Sequence, residues 1–265
     1  MPEWLLLIPQ RLLHSVEIEF TRYLVGAAGV ALLYWLVRGV IEHRRIQARR
    51  ATREDRLREF RQSVETICVF AVVNLLTFAL IRAGLIPINR GAPDLPILVA
   101  QIVVMVVLHD AWFYWMHRTL HHRMLFRATH AAHHRSRTPT SWAAYSFAPG
   151  EAVAESIYIP IMFLAISWVA PIQPWSVFIF LGHQIARNAI GHSGFELAWP
   201  GFTRSRWTGW LTTTTHHDLH HTEGRYNFGL YFTWWDRLMG TEHPRYHEKF
   251  EGVVRRQRDA AVAAA

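Results

Sequence analysis

Residues 117–137 read HRTLHHRMLFRATHAAHHRSR and hold two of the three groups of closely spaced histidines in this chain. The third group, HDLHH, covers residues 217–221. Neutral imidazole is the commonest protein ligand of transition metals, and a spacing of three or four residues stacks two imidazoles on one side of a helix. One such pair arises by chance on many surface helices. Three groups in one chain, two of them of the form HxxHH, predict a shared polynuclear metal site.

The number of imidazoles predicts two ions with open coordination positions, because zinc sites close at four ligands and octahedral sites at six. A polar row at i, i+4 and i+8, formed by Gln184, Asn188 and His192, adds His192 and Asn188 as candidate ligands, the latter directly or through water. Gln184 is expected beside the ligands. The alternative for this row is hydrogen bonding between helices. The full candidate set is His117, His121, His130, His133, His134, Asn188, His192, His217, His220 and His221.

Apolar residues make up 51% of the 265 residues and are arranged in blocks, which favours membrane spans. Candidate spans cover residues 23–41, 64–86 and 97–115, and a longer region, 153–190, fits a helical hairpin that turns near PIQP. The prediction is an all-α bundle of about four spans with a cytoplasmic helical cap that carries the metal site. The hairpin returns the chain to the face that it left, so it brings the third histidine group beside the first two. Residues 4–13 predict a short interfacial helix rather than a cleaved signal peptide.

The net charge of +8 comes almost entirely from arginines that flank the apolar blocks. Anionic lipid head groups therefore fit this charge better than nucleic acid does. The segment HRRIQARRATREDRLREFRQ, residues 43–62, predicts a solvated helix with i,i+4 ion pairs, and basic loops stay cytoplasmic. Cys68 is the only cysteine, which excludes an intrachain disulfide, a zinc site built on cysteines and an iron–sulfur cluster within this chain.

Three regions are expected along the chain. Residues 1–95 form an N-terminal membrane region with the interfacial helix, two spans and the basic loop. Residues 96–245 form the catalytic domain. Residues 246–265 form a tail whose end, RRQRDAAVAAA, is expected to fray.

The ordered set HRTLH, HAAHH, hairpin and HDLHH resembles the fatty acid hydroxylase / sterol desaturase superfamily of membrane di-iron enzymes. DAWFYWMHR (110–118), HSGFE (192–196) and NFGLYFTWWDRLMGT (227–241) extend the resemblance, which covers about residues 98–241. The first 95 residues are similar only in being membrane-spanning. The resemblance implies two iron ions, O2 as co-substrate, and hydroxylation or desaturation of a lipid C–H bond. It also implies that the histidines hold metal, and that no catalytic residues are needed beyond these ligands.

Other polar and aromatic residues have two interpretations each. Asp218 and Glu196 either orient imidazole N–H groups or are ordinary surface or helix-end acids. His109 and Asp110 are expected in a substrate cavity or in hydrogen bonds, and His183 is a further cavity candidate. His122 and His216 should point away from the metals. Aromatic residues wall a lipid cavity or form an interfacial belt; these are Trp142, Tyr145, Phe147 and residues 112–115.

Two other functions compete with the lipid oxidoreductase. A membrane zinc hydrolase usually needs a glutamate as in HExxH, which no histidine group here contains. The other is a metal transporter or haem-binding membrane protein, and a transporter would place its ligands at mid-membrane on broken helices. The chain shows no GxGxxG loop and no haem domain, so electrons are expected from a separate ferredoxin or from cytochrome b5 with its reductase. The lipid itself stays open, as does hydroxylation against desaturation.

Overall fold

The computed structural model describes residues 6–256, which form a bundle of α-helices. The ten helices of this part are α1 Ile8–Ile41, α2 Arg53–Arg82, α3 Leu95–Leu120, α4 Phe126–Thr129, α5 Pro149–Ser156, α6 Tyr158–Ser167, α7 Pro174–Gly191, α8 Thr214–Glu223, α9 Trp234–Leu238 and α10 Tyr246–Val254. The same residues contain isolated β-bridges but no strand. The predicted all-α fold is confirmed.

Four segments are long and apolar enough to cross a membrane: Ile8–Arg44, Arg53–Arg82, Leu95–Leu120 and Pro149–Ser167. Many of their apolar side chains face outward, for example Val25, Leu36 and Val103, each more than half exposed. Apolar surface of this extent suits lipid as the surrounding solvent. The expectation of about four spans agrees with this result, and the chain has the features of an integral membrane protein.

The predicted interfacial helix is not a separate element. Residues 8–13 belong to α1, which runs without a break to Ile41, and Trp4 lies outside the described residues. Pro9 sits in the first turn, where its missing N–H costs nothing, and no further proline interrupts the helix. The polar residues between 13 and 23 therefore lie on a continuous helix.

The basic segment is helical only in its second half, which corrects the prediction for residues 43–62. Residues 45–52 are irregular because they pair with another loop: Ile46 N–H donates to the Gly194 carbonyl at 3.0 Å and Glu196 N–H to the Arg44 carbonyl at 3.0 Å. Helix α2 then begins at a capping box formed by Thr52 and Asp55. Ion pairs do occur in this region, but none has the predicted i,i+4 spacing: Arg58–Asp55 is i,i+3, and Arg49 pairs with Asp55 six positions away.

The hairpin predicted near PIQP is present. Helices α5 and α6 lead to this turn and α7 leads back from it. The turn lies beside the α2–α3 connection, because Ile172 N–H donates to the Pro87 carbonyl and Asn89 N–H to the Ile172 carbonyl, both at 2.9 Å. Both turns therefore occupy one end of the bundle. The end of α3 and the end of α7 lie together at the opposite end.

Only two of the three histidine groups lie on regular helices. HRTLH closes α3, and HDLHH lies within α8, which Thr213 caps at its start and Gly224 ends in the left-handed region at φ 64°. HAAHH was expected on a helix, but it follows the four-residue α4 and ends in a short 3-10 turn, His133–Arg135. Between α3 and α5 the chain forms only short helical segments.

The predicted tail begins with a helix, α10. Helix α10 buries Tyr246 and Phe250 against Leu219 of α8, so it supports the helix that carries the third histidine group. The predicted frayed end lies almost entirely outside the described residues.

The α1–α7 contact gives a first testable prediction. A Cβ on Gly26 would clash with Ile185 Cγ1, whereas a Cβ on Gly29 meets no atom within 4 Å. Gly26→Ala should therefore destabilise the protein by about 1–3 kcal/mol through overpacking. Gly29→Ala, on the same helix, should be neutral or stabilising by up to about 1 kcal/mol. Thermal unfolding in detergent measures both, and equal effects of the two changes would contradict this packing.

Candidate metal centre

The nine candidate histidines converge into two groups at one end of the bundle. In each group the ligand nitrogens all lie within 4.8 Å of one another. The first group, called the five-histidine group here, comprises His117, His121, His130, His134 and His220. The second, the four-histidine group, comprises His133, His192, His217 and His221. Two adjacent clusters of imidazoles match the expected dinuclear arrangement.

Within each histidine motif, the structure groups the histidines according to their spacing. Each i,i+4 pair stays together: His117 with His121, His130 with His134, and His217 with His221. The middle histidine of each HxxHH motif, His133 or His220, lies at i+3 from the first and joins the other group. HAAHH and HDLHH therefore each bridge the two groups, which explains why both motifs need three histidines.

Backbone carbonyls fix the tautomers of four of these rings. His117 Nδ1 donates to the Phe228 carbonyl at 3.0 Å and His220 Nδ1 to the Tyr226 carbonyl at 2.7 Å. His133 Nδ1 donates to the Ser146 carbonyl at 3.1 Å and His192 Nδ1 to the Asn188 carbonyl at 2.8 Å. A carbonyl oxygen can only accept, so Nδ1 carries the proton in each ring. Nε2 then presents a bare lone pair towards the centre of its group.

The distances between these lone pairs fit shared metal ions. His133 Nε2 and His192 Nε2 lie 3.3 Å apart, yet neither can donate a hydrogen bond to the other. His117 Nε2 lies 3.0 Å from His130 Nε2 in the same way. Such lone pairs repel unless a cation lies between them. Nitrogens that share an ion at bond lengths of about 2.1 Å are separated by roughly 3.0–3.4 Å, so the donor set fits two transition-metal ions.

Burial keeps the imidazoles neutral. It lowers the pKa of His121 to about 3, and those of His134 and His192 to about 4; for His121 the neighbouring His134 adds to the effect. The pKa values of the ring nitrogens of His217, His220 and His221 also fall well below their usual range, first because of burial and then because of neighbouring imidazoles. Metal binding requires the neutral ring, so the site is prepared for ligation at neutral pH.

Asn188 lies beside the four-histidine group rather than among its converging ring nitrogens. Its side-chain amide donates to the Ala144 carbonyl at 2.6 Å, and its backbone carbonyl holds His192. Direct ligation by Asn188 stays a prediction. Gln184, one turn earlier on α7, lies 3.3 Å from His109 Nε2. Gln184 was expected beside the ligands, but its side chain lines the neighbouring cavity and contacts His109.

Glu151 is the carboxylate that orients an imidazole, and the sequence reasoning missed it. Its Oε1 lies 2.6 Å from His130 Nδ1, and both side chains are 2% exposed. A carboxylate behind a ligating histidine fixes the ring and raises its basicity. Glu151 lies in the first turn of α5, just before the apolar region that was predicted to begin near residue 153. This position was the only feature of the sequence that could have indicated its role.

The other two acids proposed for this role do not touch the histidine groups. Glu196 is 2% exposed, and its Oε2 accepts from Thr215 N–H and Oγ1 at 2.9 and 2.8 Å, so it anchors the start of α8 as a helix-end acid. Asp218 Oδ1 accepts from Gln47 Nε2 at 2.7 Å and ties the basic loop to α8. Burial raises the pKa of Asp218 to about 7. His122 and His216 lie outside both groups, as expected.

Two further acids hold the loop that supplies the histidine-orienting carbonyls. Asp236 accepts from Phe228 N–H and Gly229 N–H, both at 2.9 Å, and Asp110 accepts from Tyr231 N–H at 2.7 Å. All of these side chains or backbone groups are buried. The stretch NFGLYF therefore acts through its backbone, whose Phe228 carbonyl fixes His117. Of the two roles expected for Asp110, a place in the substrate cavity or in hydrogen bonds, the structure shows hydrogen bonding.

Loss of the Asp236 carboxylate gives a second prediction. Asp236→Asn replaces charged acceptors of two backbone N–H groups and should cost about 2–3 kcal/mol, with weaker metal binding because His117 loses its fixed acceptor. Glu248→Gln removes a solvent-exposed ion pair instead and should cost less than about 1 kcal/mol. Chemical unfolding and metal titration of the two variants test this. Equal stability of both variants would contradict the anchoring role.

An apolar cavity of about 290 Å3 lies directly beside the metal centre, between α1, α2, α3 and the α5–α7 hairpin. Two of its lining rings contact candidate ligands: Phe113 packs on His117 at 4.9 Å and Phe147 on His133 at 5.3 Å between ring centroids. His109 lines the same cavity and bonds to the Tyr231 hydroxyl at 2.9 Å. Tyr145 and Phe147 therefore wall a cavity, whereas Trp142 lies outside it. The His183 ring packs against the Tyr231 ring in a tilted arrangement, at 4.7 Å between centroids.

Comparison with known proteins extends these observations. The chain is 29% identical to a methylsterol monooxygenase of Aspergillus fumigatus over 57% of its own length and 50% of that protein. It is 29% identical to cholesterol 25-hydroxylase of Rattus norvegicus over 60% and 52% of the two chains. A Δ7-sterol 5(6)-desaturase of A. fumigatus is 27% identical over 69% and 61%.

The chain thus spans about half the length of the curated relatives that it matches. No solved structure matches it. The family model for fatty acid hydroxylase matches residues 102–241, more than half of the chain and all of the histidine groups. The protein is therefore a member of the fatty acid hydroxylase family, within the fatty acid hydroxylase / sterol desaturase superfamily.

Proposed function

We propose that this protein is a membrane-bound di-iron oxidoreductase that uses O2 to hydroxylate or desaturate a C–H bond of a lipid. The observation that carries the proposal is the pair of imidazole groups with inward-facing Nε2 atoms, placed against an apolar cavity. Imidazole alone suits several metals, and family membership favours iron. The relatives named above act on sterols by their names, which supports a sterol-like or other lipid substrate.

The residues divide the work between holding metal and holding substrate. The five-histidine and four-histidine groups would each hold one iron, and the bound irons would supply the reduction of O2 and the oxidation of the C–H bond. Glu151 and the four backbone carbonyls keep the rings aimed before metal arrives, which lowers the cost of assembling the site. Phe113 and Phe147 line the cavity where it meets the ligands, so they would give the reacting carbon apolar surroundings.

The active site would face the cytoplasm, because the arginine-rich loop between α1 and α2 lies at the same end as the histidine groups. Its contacts with the Gly194–Glu196 segment and with Asp218 support this placement. Electrons would come from a separate carrier, such as a ferredoxin or cytochrome b5 with its reductase, since Cys68 alone cannot hold an iron–sulfur cluster.

Lipid analysis under isotope-labelled oxygen tests the proposal. Cells with and without the gene are grown under 18O2, and their lipids are compared by mass spectrometry. Gain of one 18O in a lipid means hydroxylation, and loss of two hydrogens means desaturation. Purified protein should contain about two irons per chain. A product that forms equally without O2, together with zinc as the only metal, would replace the proposal by the hydrolase alternative.

The hydrolase itself receives little support from the geometry. Within the described residues, neither histidine group includes a carboxylate. Glu151 contacts the outer nitrogen of His130, so it faces away from the lone pairs that would bind metal and water. A zinc hydrolase needs its glutamate on the open side of the ion.

A further inference from the structure

An ion pair on α1 lies at the wall of the apolar cavity. Glu19 and Arg22 are one turn apart, with Oε2 and Nη2 separated by 2.6 Å, and both side chains line the cavity. Glu19 is only 5% exposed. Charged pairs in a helix that can span a membrane are costly and commonly mark a binding site or pathway. This pair belongs to the N-terminal region, outside the residues that the family model matches.

The ion pair is held in place from two neighbouring elements. Asn74 of α2 donates to Glu19 Oε1 at 3.1 Å and to Ser15 Oγ at 3.0 Å. Arg22 Nε donates to the Tyr145 hydroxyl at 2.9 Å, in the segment before α5. These contacts fix the orientation of both charged groups. If the pair served packing alone, these hydrogen bonds would be sufficient to hold it.

Glu19, Arg22 and Tyr145 all line the cavity and retain unused hydrogen-bonding capacity. Among the described residues, Arg22 Nη1 has no acceptor, and the Tyr145 hydroxyl, which accepts from Arg22, has no acceptor for its own proton. Each oxygen of Glu19 accepts one hydrogen bond and can accept another. Donors and acceptors therefore stand together in a wall that is otherwise mostly apolar.

The charge balance selects the kind of group that fits here. Glu19 and Arg22 together are neutral, so an incoming carboxylate or phosphate would place a second negative charge beside Glu19 in a poorly hydrated site. A hydroxyl can both donate to Glu19 and accept from Arg22 or Tyr145 without adding charge. An alkane would leave the free donors unpaired.

A lateral groove leads to the same pair. The groove lies between α1 and α7, has a volume of about 680 Å3 and is lined by Gly26, Gly29 and Gly182. Ile18, Arg22 and Leu181 line both the groove and the internal cavity. A lipid that enters from the membrane between these helices would pass Arg22 before it reaches the metal centre.

We propose that Glu19, Arg22 and Tyr145 form a hydroxyl-binding site that anchors the polar end of a neutral lipid alcohol while its apolar part extends towards the histidine groups. Contacts of 5.7, 6.5 and 5.3 Å lead from Arg22 to the Tyr145 ring, then to the Phe147 ring and then to His133. This separation would set how far from its hydroxyl the lipid is oxidised. The position of oxidation rests on the proposed function, whereas binding of the alcohol at this site does not.

Photolabelling tests the position of the polar end. The probe is a long-chain alcohol with a diazirine on the carbon adjacent to the hydroxyl-bearing carbon. The protein is the full chain in lipid nanodiscs. Peptide mapping should place the label on α1 and α2 around Glu19 and Asn74. Label on α5 around Glu155, the other acid that lines the cavity, or on Phe113 would overturn the assignment.

Competition by hexadecan-1-ol, palmitic acid and hexadecane tests the chemistry of the site. The alcohol should displace the probe at concentrations about tenfold lower than either other lipid, as one or two net hydrogen bonds allow. Arg22→Lys keeps the charge but removes the guanidinium fork, and Tyr145→Phe keeps the ring but removes the hydroxyl. Each should reduce the preference for the alcohol severalfold or more. Arg38→Lys, the same change farther along α1, should not.

The result separates this inference from the proposed function, because labelling and competition need neither O2 nor electrons. Selective alcohol binding in a protein without oxidase activity would support the site and contradict the proposed function. If the protein oxidised lipid but bound palmitic acid or hexadecane as tightly as the alcohol, the result would support the proposed function and contradict the hydroxyl-binding site. An unchanged preference in both folded variants would also overturn the site.

Discussion

Replacing His217 by alanine will lower the bound metal from about two ions to about one per chain and will reduce product formation by more than about 100-fold. His217 is one of only four imidazoles in its group, and its Nε2 lies 2.9 Å from His192 Nε2 and 3.1 Å from His221 Nε2. Three remaining imidazoles would hold an ion weakly. Metal analysis by mass spectrometry after gel filtration and the 18O assay measure the two effects.

A change in the larger group provides a contrast. His134→Ala leaves four imidazoles in the five-histidine group, so this variant should retain more metal than His217→Ala although its activity also falls. His122→Ala is the matched control, because this histidine neighbours His121 but lies outside both groups. If His217→Ala kept two ions and full activity while remaining folded, the grouping of the histidines as two metal sites would be wrong.

Replacing Glu151 by leucine should weaken metal binding in the five-histidine group by about 10–100-fold. Leucine fills a similar volume but leaves His130 Nδ1 without its acceptor at 2.6 Å. The ring could then rotate or exchange its tautomer, and either change moves the lone pair of Nε2. Metal affinity is measured by competition with a chelator of known affinity.

Two companions identify the cause of this loss. Glu151→Gln keeps an acceptor but removes the charge, so its affinity should fall between those of the natural protein and the leucine variant. Glu155→Leu removes a buried acid one turn later on α5, and it should leave metal affinity unchanged because no histidine of either group contacts it. Equal losses from Glu151→Leu and Glu155→Leu would mean that α5 acts through its fold rather than through His130.

The sequence was most informative where chemistry repeats along the chain. Apolar blocks of span length predicted the membrane helices, and the prolines of PIQP marked the hairpin turn that brings the third histidine group back to the first two. The predicted pairing of closely spaced imidazoles is present for the i,i+4 pairs, whereas the i,i+3 pairs are divided between the two groups. These features depend on short-range periodicity, which a sequence displays directly.

The sequence was less informative about the joints between elements. The independent helix expected for residues 4–13 merges into α1, and HAAHH lies on a short turn rather than a long helix. Half of the basic segment is irregular because its backbone pairs with residues 194–196. In the basic segment, contacts distant in the sequence outweigh local propensity.

The sequence by itself determined the ligand types, their order and the single end of the bundle where they meet. Only the tertiary structure decided how the nine imidazoles divide into groups of five and four, and what holds each ring. Four rings are held by backbone carbonyls, which every residue possesses, and Glu151 reaches His130 across 21 positions of sequence. Such partners carry no local mark in the sequence, because their role arises from where folding places them.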